Sequence, residues 1–230
     1  MHEQKGVVGR YSSGARINHW ITAGSLILLA LSGFALFHPA LFFLTNLFGG
    51  GQWTRILHPF IGIVLVISFL GLFLRFVRYN FLNADDFRWL ANLGAVINNE
   101  DEKLPEVGRY NAGQKIYFWG MTLTILTLVI SGVTLWDVYF ASYFNIEQKR
   151  LAAVAHAAAA VAAVMLWIVH AYAAVWVKGT MRAMMRGSVT GGWAWRHHRK
   201  WLRKEVDDKP KRSKSAHTVA GVASHRAPAE

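Results

Sequence analysis

Residues 151–177 read LAAVAHAAAAVAAVMLWIVHAYAAVWV, a run without a single charge in which His156 and His170 are the only imidazoles. At about 1.5 Å of rise per residue a helix of this length exceeds a ~30 Å hydrocarbon core. A helix on the surface of a soluble domain would show a polar stripe every 3.6 residues, and this stretch has none. It therefore reads as a membrane span, and three further apolar blocks precede it: Ile21–Phe37, Phe60–Val77 and Ile116–Trp136. Arg75 is the only charge inside any of them, close enough to a block end to reach the interface. The expected fold class is all-α, a four-helix transmembrane bundle with helices at about 19–37, 58–77, 115–137 and 151–178.

The composition agrees. Of 230 residues, 53% are hydrophobic and 17% charged, with a mean hydropathy of +0.25. That is too apolar for an ordinary soluble domain. The absence of cysteine excludes disulfides, thiolate zinc, cysteine-held iron–sulfur clusters and c-type haem attachment. The net charge of +12 is distributed by topology. Lys and Arg number 3 before the first block, 5 in 78–115 and 13 in the tail, against 1 and 2 in the other two loops. The positive-inside rule places both termini and the 78–115 loop in the cytoplasm, and the loops around His38 and Asp137 outside. A basic tail beside a membrane follows from that rule alone, so no nucleic-acid partner is expected. The first block is longer than a signal-peptide core and lacks a cleavage site, so it is expected to be retained.

Between blocks two and three, Asp85 and Asp86 precede Phe87, Leu90, Leu93 and Ile97, the pattern of a short helix lying on the membrane surface. Residues 1–204 are expected to form one membrane domain. Its segment 179–204, with Trp193, Trp195 and Trp201 among basic residues, is expected to be an interfacial anchor, and 205–230 a disordered cytoplasmic tail.

Depth sorts the histidines. His2, His38, His197, His198, His217 and His225 lie in loops or terminal segments and read as solvated. His156 and His170 are costly to bury without a partner or a function. They are 14 residues apart, ~21 Å of rise and within ~40° of one helix face. His58 opens block two on the outer side and His19 opens block one on the inner side. The four thus form an outer pair, His58 with His156, and an inner pair, His19 with His170. Two bis-histidine b-type haems need this arrangement: neutral imidazoles at both axial positions and a porphyrin between facing helices. The alanines of 152–163 offer room for a flat ring, and Arg16 and Arg55, three residues before His19 and His58, offer partners for propionates. The competing reading is that these histidines hydrogen-bond across helices and the alanines serve close packing. Zinc suits the pattern less, because its ligands cluster by three or four.

Several segments carry a more specific signal: Arg16-Ile17-Asn18-His19-Trp20, Arg55-Ile56-Leu57-His58-Pro59-Phe60, Val107-Gly108-Arg109-Tyr110-Asn111-Ala112-Gly113-Gln114-Lys115, the alanines around His156, and His170-Ala171-Tyr172 followed by Trp176-Val177-Lys178-Gly179. Together they resemble the gamma subunit of respiratory formate dehydrogenase, the cytochrome b of that complex, over about residues 10 to 204. The resemblance implies a di-haem cytochrome in the bacterial inner membrane, with His58 and His156 holding the outer haem b and His19 and His170 the inner one. It implies menaquinone or ubiquinone reduction near the inner haem, with contacts from Asn111, Gly113 and His170, and from Gln114 beside them. It also implies an iron–sulfur (beta) partner and a molybdenum- or tungsten-containing catalytic (alpha) partner that oxidises formate. On the residues alone, Asn111 offers a donor and an acceptor to a quinone carbonyl, Gly113 permits close approach, and Lys115 marks the headgroup level; Asn111 also reads as a helix cap. Two other functions stay open: the cytochrome b of a hydrogenase or another periplasmic oxidoreductase, and a haem-free anchor or transporter.

Overall fold

The computed structural model describes residues 6–98, 100 and 104–207. The chain divides into two compact units. One is built from Gly9–Phe81 and Gly113–Ser188 and contains the long helices; the other gathers Met1–Val8, Leu82–Ala112 and Val189–Glu230.

In the first unit, α1 spans Ser13–Phe37, a 3-10 helix Pro39–Phe48, and α2 Gly51–Phe76. In chain order α3 and α4 belong to the other unit, and the bundle resumes with α5 (Ala112–Leu135), α6 (Ile146–Trp176) and the short α7 (Thr180–Arg186). Four of these helices, α1, α2 with its continuation to Tyr79, α5 and α6, are long and apolar enough to cross a membrane. Their starts carry local signals. Ser12 caps α1 by accepting from the Ala15 amide, and Asn145 with Gln148 forms a reciprocal capping box on α6. Beyond α7, Gly187 adopts φ +75°, where a Cβ would lie 2.6 Å from the Tyr11 carbonyl oxygen.

Large apolar side chains such as Ile67, Leu123, Val154 and Val175 face outward from the bundle, as expected where lipid is the solvent. Inside, Leu65, Met121, Ile125 and Ala163 form a buried cluster, joined by Leu26, Leu29 and Trp167. Polar side chains within the spans satisfy themselves locally. Ser32, Ser68, Thr122, Thr127, Ser131 and Thr134 donate to carbonyls three or four residues back, the usual fate of a hydroxyl in an apolar helix. Between α1 and α2, Thr22 Oγ1 lies 3.0 Å from Ser68 Oγ. Gly71 allows close approach: a Cβ there would sit 2.7 Å from Asn18 Nδ2.

In the second unit, the helix expected after Asp85 and Asp86 forms as α3 (Ala84–Ala91) and α4 (Leu93–Ile97), interrupted at Asn92. Asn83 and Asp86 make a capping box, and Asp86 is buried while doing so. Strands β1 (Val7–Gly9) and β2 (Ser188–Thr190) pair, followed by α8 (Gly191–His197) and a helix at 199–207, α9. Of 205–230, expected to be a disordered tail, residues 205–207 end α9 and the remainder lies outside the described residues.

Two expectations for this basic segment change. His198 is not solvated: it is 1% exposed, its Nδ1 is 2.9 Å from the Gly108 carbonyl, and Trp193 lies against its ring. Trp193 and Trp201 are buried too, so of the three tryptophans read as interfacial anchors only Trp195 is exposed. The charges around them are drawn into ion pairs, Lys200 with Asp85 at 2.8 Å and Arg203 with Glu106 at 3.0 Å, which tie α9 to the 82–112 segment. Apolar ring surface is stabilised by burial against other rings. In the first unit, Lys115, expected to mark the headgroup level, is packed against protein at 4% exposure.

Candidate functional site

The four histidines expected to matter all lie in the helical bundle, and they come together in two pairs. The His58 and His156 rings have centroids 6.2 Å apart, and the His19 and His170 rings are also 6.2 Å apart. His19 is on α1, His58 on α2, and both His156 and His170 on α6. Ala163, midway between His156 and His170 on α6, packs in the buried apolar cluster with Leu65, Met121 and Ile125. Two polar sites are therefore separated by an apolar layer.

The 6.2 Å spacing has chemical content. A metal–imidazole nitrogen bond is about 2 Å, and a ring centroid lies about 1.1 Å behind its nitrogen, so two axial imidazoles on one iron have centroids about 6.2 Å apart. Both pairs meet that requirement. On α6 the buried alanines Ala152, Ala159 and Ala163 lie on the histidine-bearing side of the helix, so no bulky side chain extends from that side beside His156.

The nitrogens not needed for iron are held at the first pair. His58 Nδ1 is 2.7 Å from Ser32 Oγ on α1, and His156 Nδ1 is 2.9 Å from Ser131 Oγ on α5. Each serine hydrogen is already used: Ser32 donates to the Leu28 carbonyl at 2.8 Å and Ser131 to that of Thr127 at 2.6 Å. An imidazole that holds a metal through Nε2 carries its proton on Nδ1, and each serine oxygen stands where it would accept that proton's hydrogen bond. A hydrogen bond across helices and a metal-binding nitrogen thus coexist on each ring. The residue after each serine is glycine, and it faces the same imidazole. A Cβ on Gly33 would lie 3.6 Å from His58 Cε1, and one on Gly132 3.4 Å from His156 Cε1. These Ser-Gly dipeptides were not among the expected site residues. Their signal is visible in the sequence as a repeat, Leu31-Ser32-Gly33 near the end of α1 and Ile130-Ser131-Gly132 near the end of α5.

The second pair has different neighbours. His19 Nδ1 is buried without a hydrogen-bond partner among the described residues. Tyr117, also absent from the expected set, stacks on His170 with centroids 4.4 Å apart and planes 13° from parallel. Gly113 and Gln114 lie in the first turn of α5, one turn before Tyr117, and Asn111 immediately precedes that helix. Of the arginines read as propionate partners, Arg55 is exposed. Arg16 is engaged by the protein: Nη1 donates to the Met185 carbonyl at 2.6 Å and Nη2 to Ser13 Oγ at 3.2 Å.

Four apolar helices with paired imidazoles at two levels define a membrane cytochrome of the b type, and comparison with known proteins agrees. The chain belongs to the prokaryotic cytochrome b561 family, whose model matches residues 10–187. It is 43% identical over 201 residues to the formate dehydrogenase cytochrome b556(fdo) subunit of Escherichia coli K12, covering 87% of this chain and 94% of that protein. The nitrate-inducible formate dehydrogenase cytochrome b556(Fdn) subunit of the same organism is 40% identical over 188 residues, covering 82% and 87%. The formate dehydrogenase cytochrome b556 subunit of Haemophilus influenzae is 36% identical over 197 residues, covering 86% and 83%. The family implies haem b, and the spacing, serine neighbours and small-residue surroundings of the histidines fit that group.

Proposed function

We propose that this chain is the membrane cytochrome b subunit of a respiratory formate dehydrogenase, carrying electrons through two haems b to a quinone. The reading rests on one observation above all: two histidine pairs, each 6.2 Å between ring centroids, on opposite sides of an apolar layer. When bound, a bis-histidine haem takes up and releases single electrons without binding substrate itself. The chain's own residues do the rest. His58 and His156 are the ligands at the outer level, His19 and His170 those at the inner level, and the Leu65–Met121–Ile125–Ala163 layer keeps water from between them. The excess of Lys and Arg in alternate segments supports an orientation with both termini in the cytoplasm of a bacterial inner membrane.

The names of the relatives supply formate as the electron source and imply catalytic and iron–sulfur partner subunits; in this reading the catalytic partner contains molybdenum or tungsten and stands on the outer side. Menaquinone or ubiquinone is the acceptor on the inner side, with Asn111, Gly113, Gln114 and His170 as its contacts. Asn111 supplies a hydrogen-bond donor to a quinone carbonyl, and Gly113 leaves the backbone open to approach. Formate oxidation itself lies on the partner.

The test is to purify the chain with its copurifying subunits and record haem content and a reduced-minus-oxidised spectrum. Two haems b per chain, reduced by formate and reoxidised by a menaquinone analogue, are expected. Asn111→Leu should raise the KM for the quinone about tenfold, the loss of one hydrogen bond, while haem reduction by formate keeps its rate. A colourless chain would end the reading.

A further inference from the structure

The two histidine pairs match in spacing and differ in what holds their rings. At His58 and His156 the Nδ1 atoms lie 2.7 and 2.9 Å from a serine oxygen, and a ring that binds iron through Nε2 has its one proton on Nδ1, so the serine oxygen is the acceptor in the haem-bound protein. His19 Nδ1 has no such acceptor among the described residues, and His170 is held by the face of Tyr117. Donating Nδ1–H to an acceptor raises the basicity of the opposite nitrogen, and a more basic axial ligand favours the oxidised over the reduced iron.

We propose that Ser32 and Ser131 are positioning residues that keep the haem of the His58–His156 pair at a lower midpoint potential than the haem of the His19–His170 pair. An electron delivered at the first level then moves downhill to the second. One electron is received and one passed on at each level. No proton accompanies it, because Nδ1–H stays in its hydrogen bond and Nε2 is taken by the metal. The proposal rests on the assignment of one haem b to each pair.

A single hydrogen bond of this kind shifts an equilibrium by about two- to tenfold. A tenfold shift of the oxidised-to-reduced ratio corresponds to 59 mV for a one-electron couple. The experiment is a redox titration of the b-type spectrum in the intact complex. It uses the wild type, Ser32→Ala, Ser131→Ala, the double variant, Ser131→Cys and Ser25→Ala. Ser25 is a buried serine of α1 two turns before Ser32 and serves as the control. The component that disappears in His156→Ala identifies the haem of the serine-held pair.

In each serine-to-alanine variant that component should titrate at a higher potential, two- to tenfold in its ratio at fixed potential. The double variant should approach the product of the two shifts. Ser131→Cys, near-isosteric with a weaker acceptor, should shift it the same way by less. The other component and the Ser25→Ala variant should stay at wild-type values. Two haems per chain with both potentials unmoved would overturn the proposal and leave the ligand assignment standing, as would movement of the other component alone. If a serine variant retains only one haem, Ser131→Cys decides by the same reading of its potential. Haem retained at full content in His58→Ala and His156→Ala would instead overturn the assignment beneath it.

Discussion

Removing one imidazole should remove one haem and leave the other almost undisturbed. In His156→Ala the 6.2 Å pair with His58 loses one of its two nitrogens. The second pair shares α6 but lies 14 residues further on, ~21 Å along the helix axis, with the apolar layer between. Two unit charges at that separation interact by ~0.8 kcal/mol at an effective dielectric of about 20, so the remaining haem should shift its oxidised-to-reduced ratio less than about fourfold. Packing coupling across that distance is smaller, within ~0.5 kcal/mol. The assay is haem content by extraction, with low-temperature spectra and a redox titration on the purified complex. The expected outcome is half the wild-type haem in both His156→Ala and His58→Ala, with the same component missing from each. His19→Ala and His170→Ala should lose the complementary component, and His38→Ala, an exposed histidine, should lose none. If His58→Ala removed the component that His170→Ala removes, the pairing argument would be wrong.

Bulk at the glycines facing the outer-pair ligands gives a second check. A Cβ at Gly132 stops at 3.4 Å from His156 Cε1, so Gly132→Ala should keep both haems, whereas Gly132→Leu should displace the ring and lose the haem that His156→Ala loses, read by haem content. In the second unit, His198→Ala opens a cavity and leaves the Gly108 carbonyl without its partner, costing about 1–3 kcal/mol. Faster amide exchange in the 104–112 segment and in α9, with unchanged haem content, is the expected signature. Asn83→Ala removes the α3 capping box and should cost ~1 kcal/mol, seen as faster exchange confined to Ala84–Ala91.

Much of the bundle is legible along the chain, because membrane spans announce themselves locally. A helix in lipid must be apolar around its whole circumference and long enough to cross, so four uninterrupted runs imply four spans whatever their neighbours. Spacing along one helix likewise puts His156 and His170 on a common side, since the rotation per residue is constant. The loss of continuity at Asn92 and the burial of Lys115 are less visible, because both depend on what surrounds a residue rather than on its own preference.

Taken alone, the amino-acid order determined the number of apolar spans, which histidines fall within or at the ends of them, and the family motifs around them, all properties of single segments set by transfer into lipid and by helix periodicity. Only the tertiary structure decided that Ser32 and Ser131 lie within hydrogen-bond distance of His58 and His156, that Tyr117 covers His170, and that His198 and Trp193 are buried together. A hydroxyl, a ring face or a solvated-looking imidazole has many possible partners of equal local merit, and helices distant in sequence select one by where they cross.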